Sequence, residues 1–233
     1  MSSTSLRTSF RKPPSNPVSE TPGLLQWYAA DQETGRADGD DIATIVDRSG
    51  RGFNLVGATG PDWRNAANGI NGVPAYSFSG GRECSASSRV LPLTNFTLMW
   101  VMSGWSAGRP IGLENDGSGT HGLGLYSGGW IIRNSGVTYD IGASFTSSPI
   151  VVGFRAGSGG IEAHTFGQAS SGGGSRTDTT GYSDAGVNFT LGSSGNGGSD
   201  LTGKIAEFVS YSRRLSETEF YTLLTFFRIK YGI

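Results

Sequence analysis

The sequence predicts an all-β sandwich closed by one C-terminal α-helix and preceded by an extended N-terminal arm. Three observations carry that expectation. Glycine supplies 38 of 233 residues with no collagen-like period, an excess that suits many tight turns better than helices. Short runs rich in aromatic and β-branched residues recur at spacings of about 8–12 residues between turn signals. The chain then closes on KIAEFVSYSRRLSETEF, where a strand-like run passes into a capped helix.

Residues 1–22 stand apart from the rest. They hold four of the nine prolines and the basic cluster Arg7, Arg11 and Lys12, with Leu6 and Phe10 as the large apolar side chains before Val18. This composition buries too little surface to fold alone. It reads as a solvated tail or as an arm held by a partner. The arm is the expectation, with Phe10 as anchor and the basic residues on an acidic surface. Residues 23–233 form the expected folded domain. LLQWYAA opens it as a strand, and DDIATIVDRSG ends in a turn signal. VPAYSFSG alternates, NFTLMWVMSG is apolar on both faces like a central strand, and IVVGFRAGSGGIEAHTF reads as a hairpin. IGLEN, HGLGLYSG, GWIIRNSG and VTYDIGA supply further short strands, whereas 168–186 reads as a polar loop. At the end, Ser216 and Glu219 have capping-box spacing, and Phe220, Leu223, Leu224 and Phe227 form one apolar stripe. Arg228 and Lys230 suit the last turn and Gly232 the C-cap. Such a helix is marginal alone, so it is expected to dock on an edge or an end of the sandwich.

Bulk properties narrow the function. With 18 basic and 19 acidic residues, nothing pulls the chain toward nucleic acid or an acidic membrane. The single Cys84 excludes an internal disulfide, which argues against an oxidised, secreted setting. The N-terminus lacks the apolar core of a secretory signal, and no run is long enough to span a membrane. The expectation is a soluble chain made in a cytoplasm.

Several stretches together resemble the concanavalin A-like lectin/glucanase superfamily, specifically laminin-G-like jelly-roll domains. They are the opening strand with its Asp47-Arg-Ser-Gly-Arg-Gly52 turn, the Asn71-Gly-Val-Pro74 element followed by Phe78 and Gly80, and the run NFTLMWVMS. The closing Gly203-Lys-Ile-Ala-Glu207 strand, with its Leu215-Ser216-capped helix ending in Lys230-Tyr-Gly232, is the most specific. The resemblance covers about residues 24–233 and implies a concanavalin A-like jelly-roll sandwich. One departure is IEAHTFGQ, which lacks the Asn-Gly pair many members carry.

Glycosidases of that superfamily place two carboxylates on one strand in a Glu-x-Asp-x-x-Glu pattern, which this sequence lacks. No catalytic residues, metal ligands or cofactor are therefore expected, with calcium left open. Asp38, Asp40 and Asp41 read as a solvated turn or a cation site. His121 and His164 read as structural histidines, Cys84 as a structural thiol, and Glu207 as a structural acid. Trp63, Trp105, Tyr126, Trp130 and Tyr182 are either core or platforms for sugar rings. The carbohydrate-binding candidates are Trp105, Trp130 and Tyr126, with Asn115 and Asp116 in the polar loop after Glu114. Jelly rolls with such arms also resemble decoration, head-fibre or tail-associated proteins of tailed bacteriophages. That likeness implies a non-catalytic protein of the virion surface. Its partners would be other virion proteins, further copies of itself and cell-surface glycans. A cement protein without ligand and a bacterial carbohydrate-binding module are the alternatives.

Overall fold

The computed structural model describes residues 16–86, 95–112, 122–126, 129–134, 137–140, 147–157, 160–167, 171–176, 189–193 and 200–233. In chain order the elements begin with helix α1 (Pro17–Glu20) and strands β1 (Leu24–Ala29), β2 (Thr44–Ile45), β3 (Leu55–Val56) and β4 (Asp62–Arg64). Strands β5 (Ala75–Phe78), β6 (Cys84–Ala86), β7 (Phe96–Ala107) and β8 (Ile111–Gly112) follow, then β9 (Gly122–Tyr126), β10 (Gly129–Asn134) and β11 (Val137–Asp140). Strands β12 (Ile150–Gly157), β13 (Gly160–Gly167), β14 (Ser171–Arg176), β15 (Thr190–Leu191) and β16 (Thr202–Tyr211) lead into helix α2 (Glu217–Tyr231).

The largest sheet runs β14-β13-β12-β7-β16-β5-β4, with β1 on the far half of β16. A second layer runs β2-β3-β6-β15-β8, and the ribbon β11-β10-β9 adjoins it at β8. All pairings are antiparallel. Alternation decides what each face holds. Tyr76, Phe78, Trp100, Phe154 and Phe208 fill the core between the layers. Met99, Val101, Val151, Val209 and Tyr211 face the helix side. The double-sided apolar run in β7 is thus explained: both of its faces are buried through Met102.

Helix α2 forms as its sequence predicts. Ser216 caps the Glu219 N–H, and the Glu219 side chain returns to the Ser216 N–H at 3.0 Å. Gly232 ends the helix at φ +62°. Phe220, Leu223, Leu224, Phe227 and Tyr231 are buried. The helix lies across the outer face of the large sheet and not on an edge or an end, because that face carries its own apolar set. Gly153 permits the approach: a Cβ there would sit 2.6 Å from the Phe220 ring.

Two expectations change. The described part of the stretch expected as an extended arm is not extended: Asn16 caps the short helix α1, and Val18 is fully buried beneath α2. The polar loop expected at 168–186 contains β14. Ser-Gly-Gly-Gly-Ser-Arg has little β preference of its own. It becomes a strand because the free edge of β13 offers a full ladder from Ile161 to Phe166.

Candidate functional site

Of the sugar-binding candidates, Trp105 lies near the end of β7, partly buried against the core, and its indole N–H donates to the Gly108 carbonyl at 3.0 Å. Trp130 is on β10 and Tyr126 on β9, opposite Leu125 and Gly129 respectively. Trp130 and Tyr126 are thus not register partners. Asn115, Asp116, His121 and Tyr182 lie outside the described residues, as do Arg7, Phe10, Arg11 and Lys12. Trp63 is core, its indole N–H bonded to the Ala30 carbonyl at 2.9 Å.

The acidic turn does not converge. Asp38 accepts from Asn65 and Asn68, Asp40 from the Ala37 N–H, and Asp41 from Arg82. Asp47 closes its own turn instead, accepting from the Trp27, Ser49 and Phe53 N–H groups and from the Ser49 hydroxyl. Among the described residues no group of three metal-ligating side chains comes together. Cys84 is buried, and desolvation pushes its thiol up to about 12, which makes it inert.

Glu207 has the densest surroundings. A bulge in the β16–β7 pairing between Ile205 and Glu207 places it where β1 and β5 part. Its carboxylate accepts from the Trp27 indole at 2.6 Å, Lys230 Nζ at 2.6 Å and the Tyr231 hydroxyl at 2.9 Å. Lys230 also meets Asp31 at 2.9 Å. Burial raises the Glu207 pKa against the pull of Lys230, while Glu207 and Asp31 together raise Lys230 despite its desolvation. Lys230 thus bridges two carboxylates, and the Glu207 side chain is 0% exposed. The cluster pins α2 to the sheet.

A different surface opens along the other flank of α2. Strand β13 alternates, so Glu162, His164 and Phe166 share its helix-side face. The rings of His164 and Phe166 are nearly parallel, 8° apart with centres at 6.5 Å. Tyr221 from α2 meets His164 edge-on at 5.7 Å, and the Arg228 guanidinium lies 5.5 Å from the Phe166 ring centre. Glu162 holds one end of this strip. It accepts from Arg155 at 2.6 Å and pairs with Arg214, and His164 Nε2 is 3.7 Å from it. Burial works to raise Glu162, but the two arginines bring its pKa below the usual range; burial lowers His164, so the imidazole is neutral at pH 7. Beyond the strip, His164 pairs with Gly173 and Thr165 with Gly172 of β14. On α2, Thr218, Tyr221, Thr222 and Thr225 line an open hollow of about 400 Å³ that shares Tyr221 with the strip. This trough between β13 and α2 carries aromatic rings, an imidazole and one guanidinium, which are groups that stack on and hydrogen-bond to sugar rings.

Sequence reasoning missed this trough. Its signal was the alternation Glu162, His164, Phe166 against Ile161, Ala163, Thr165. The partners Tyr221 and Arg228 come from an element distant in sequence.

No family model matches the chain, and no curated protein matches it in sequence. Solved structures do match in shape. Domain 4 of the GH43 extracellular arabinanase AbnA of Geobacillus stearothermophilus, in complex with arabinotriose, superposes with TM-score 0.60 at 16% identity, over 86% of this chain and 98% of that one. The fold is a β-sandwich of the kind these domains share. A GH54 α-L-arabinofuranosidase matches with TM-score 0.59 at 16% identity, over 89% of this chain and 59% of that one. The sialidase of Trypanosoma rangeli matches with TM-score 0.55 at 17% identity, over 91% of this chain but 34% of its own length. The chain thus corresponds to one domain of these larger enzymes. At such identities the likeness concerns fold alone, and none of the three bears on a virion.

Proposed function

We propose that this chain is a non-catalytic, glycan-binding β-sandwich whose binding surface is the trough between α2 and β13. One observation carries the reading: His164, Phe166 and Tyr221 form an aromatic strip between β13 and α2, with Arg228 over the Phe166 ring. The fold supports it, since the same sandwich occurs as a domain of glycan-acting enzymes, one of them in complex with arabinotriose. The absence of catalysis is proposed because the sequence lacks the Glu-x-Asp-x-x-Glu pattern and because Glu207 is buried and paired with Lys230. A glycan array probed with the domain, with and without calcium, tests the reading. Binding that Phe166→Ala weakens about five- to tenfold, as loss of a stacking contact worth about 1 kcal/mol would, supports it. Silence across neutral and acidic glycans under both conditions sinks it.

Attachment to a larger particle such as a virion, through Arg7, Phe10, Arg11 and Lys12, is proposed from the composition of residues 1–22. Deleting residues 1–15 should abolish attachment and leave a folded domain. Undiminished co-sedimentation of the truncated chain with particles would refute it.

A further inference from the structure

The cluster beneath the end of α2 holds more than an ion pair needs. Lys230 Nζ lies 2.9 Å from Asp31 Oδ2 and 2.6 Å from Glu207 Oε2. Register sets this meeting. Ala29 of β1 pairs with Glu207 of β16, and the short turn Ala30–Gln32 then brings Asp31 to the same ammonium. The two acids are held differently. Glu207 accepts from Trp27 on Oε1 and from Tyr231 and Lys230 on Oε2. Asp31 Oδ1 is buried and has no hydrogen-bond partner among the described residues. Both Glu207 oxygens are thus tied, whereas the Asp31 carboxyl carbon has one oxygen unheld. Amide formation needs a nucleophilic amine, an electrophilic carboxyl carbon and a proton carrier in contact with both. Lys230, Asp31 and Glu207 match that set. A nitrogen 2.9 Å from a carboxylate oxygen is roughly 3.5 Å from its carbon, the separation of a near-attack conformer.

We propose that Lys230 and Asp31 condense to an intramolecular isopeptide bond, with Glu207 as the proton carrier. The Nζ–Cγ bond forms and the Cγ–Oδ2 bond breaks. Glu207 takes one proton from the ammonium, which frees the lone pair to attack Cγ. It hands that proton, and then a second from the nitrogen, to Oδ2, which leaves as water. Oδ1 stays as the amide carbonyl oxygen, and Glu207 ends as it began. No oxidant or other co-reactant is consumed. Burial raises the Glu207 pKa against the pull of Lys230, which suits a carboxylate that must accept a proton. Free amines and acids do not condense in water, but held partners reach effective molarities of about 10⁵–10⁸ M. The Lys230 and Asp31 side chains are 21% and 22% exposed, so little water reaches the bond to reverse the step. The chain makes this bond once, on itself, and the step does not rest on the glycan reading. The bond would join the turn after β1 to α2 and enclose residues 31–230 in one loop. Tension applied outside that loop would then bypass the sandwich.

Intact mass spectrometry of the full chain, purified folded and then denatured, tests the bond. The expected mass is one water below that of the sequence. A tryptic digest should contain Ile229–Ile233 joined to the fragment that ends at Arg36. Lys230→Arg keeps the cation but removes the nucleophile, and should show its full mass. Glu207→Gln should slow the condensation at least about a hundredfold, the scale of a lost proton carrier. The full mass in the folded, unaltered chain after days at neutral pH would overturn the proposal. Loss of water without the joined peptide, as a succinimide at Asp38-Gly39 would give, would also overturn it. An undiminished rate in Glu207→Gln would refute the role of Glu207.

Discussion

Two acidic side chains show how surroundings decide a residue's task. Glu207 is sealed beneath α2 with three donors on its two oxygens. Removing one partner of such a buried set leaves charge uncompensated, which typically costs about 3–5 kcal/mol. We therefore expect Glu207→Ala to lower the denaturation midpoint in urea by that equivalent. The double variant Glu207→Leu with Lys230→Met should cost less than the single one, because the ammonium leaves with the buried carboxylate and the acid that remains, Asp31, is partly exposed; a larger loss would contradict the pairing. Glu219 is different. It sits near the surface, where Arg213, together with hydrogen bonds from Ser216, lowers its pKa from 4.5 to about 2. A depressed carboxylate contributes stability above its unfolded pKa and loses it as pH falls through the folded value. The first turn of α2 should therefore lose amide protection, taken relative to the intrinsic exchange rate at each pH, as pH drops from about 4.5 to about 2. Glu219→Gln should remove that pH dependence, and its persistence would refute the assignment.

At the scale of elements, α2 was legible in the sequence and β14 was not. The helix writes its own boundaries in local chemistry: Ser216 with Glu219, the apolar stripe, and Gly232. Replacing Ser216 by alanine should cost about 1 kcal/mol, read from the thermal midpoint. Strand β14 carries no local signal, since its pairing comes wholly from β13. Where the helix would sit was equally hidden, because the large sheet's second apolar face emerges only when β7, β12 and β16 align. Gly153 records that contact. In Gly153→Ala the new methyl would meet Phe220 at 2.6 Å and Leu224 at 3.0 Å. Overpacking of this kind costs about 1–3 kcal/mol; a neutral result would mean that the helix sits farther from the sheet.

For the whole molecule, the sandwich emerges from glycine-rich turns and alternating strands, and these are short-range features. The candidate site is a long-range one. Trp105 drew attention by its residue type, yet its indole turns back on Gly108. His164 looked like an ordinary lone histidine until β13 set it beside Phe166 and α2 brought Tyr221 over it. The central claim is that this trough binds glycans. The most direct measurement is a titration with the glycans that score on an array, followed through the imidazole proton signals of His164 by NMR. The account predicts saturable shifts at His164 whose midpoint rises about five- to tenfold in Phe166→Ala, as loss of about 1 kcal/mol of stacking requires, while the rest of the spectrum is kept. Glycan binding that leaves His164 unmoved, or no binding to any glycan, would contradict it.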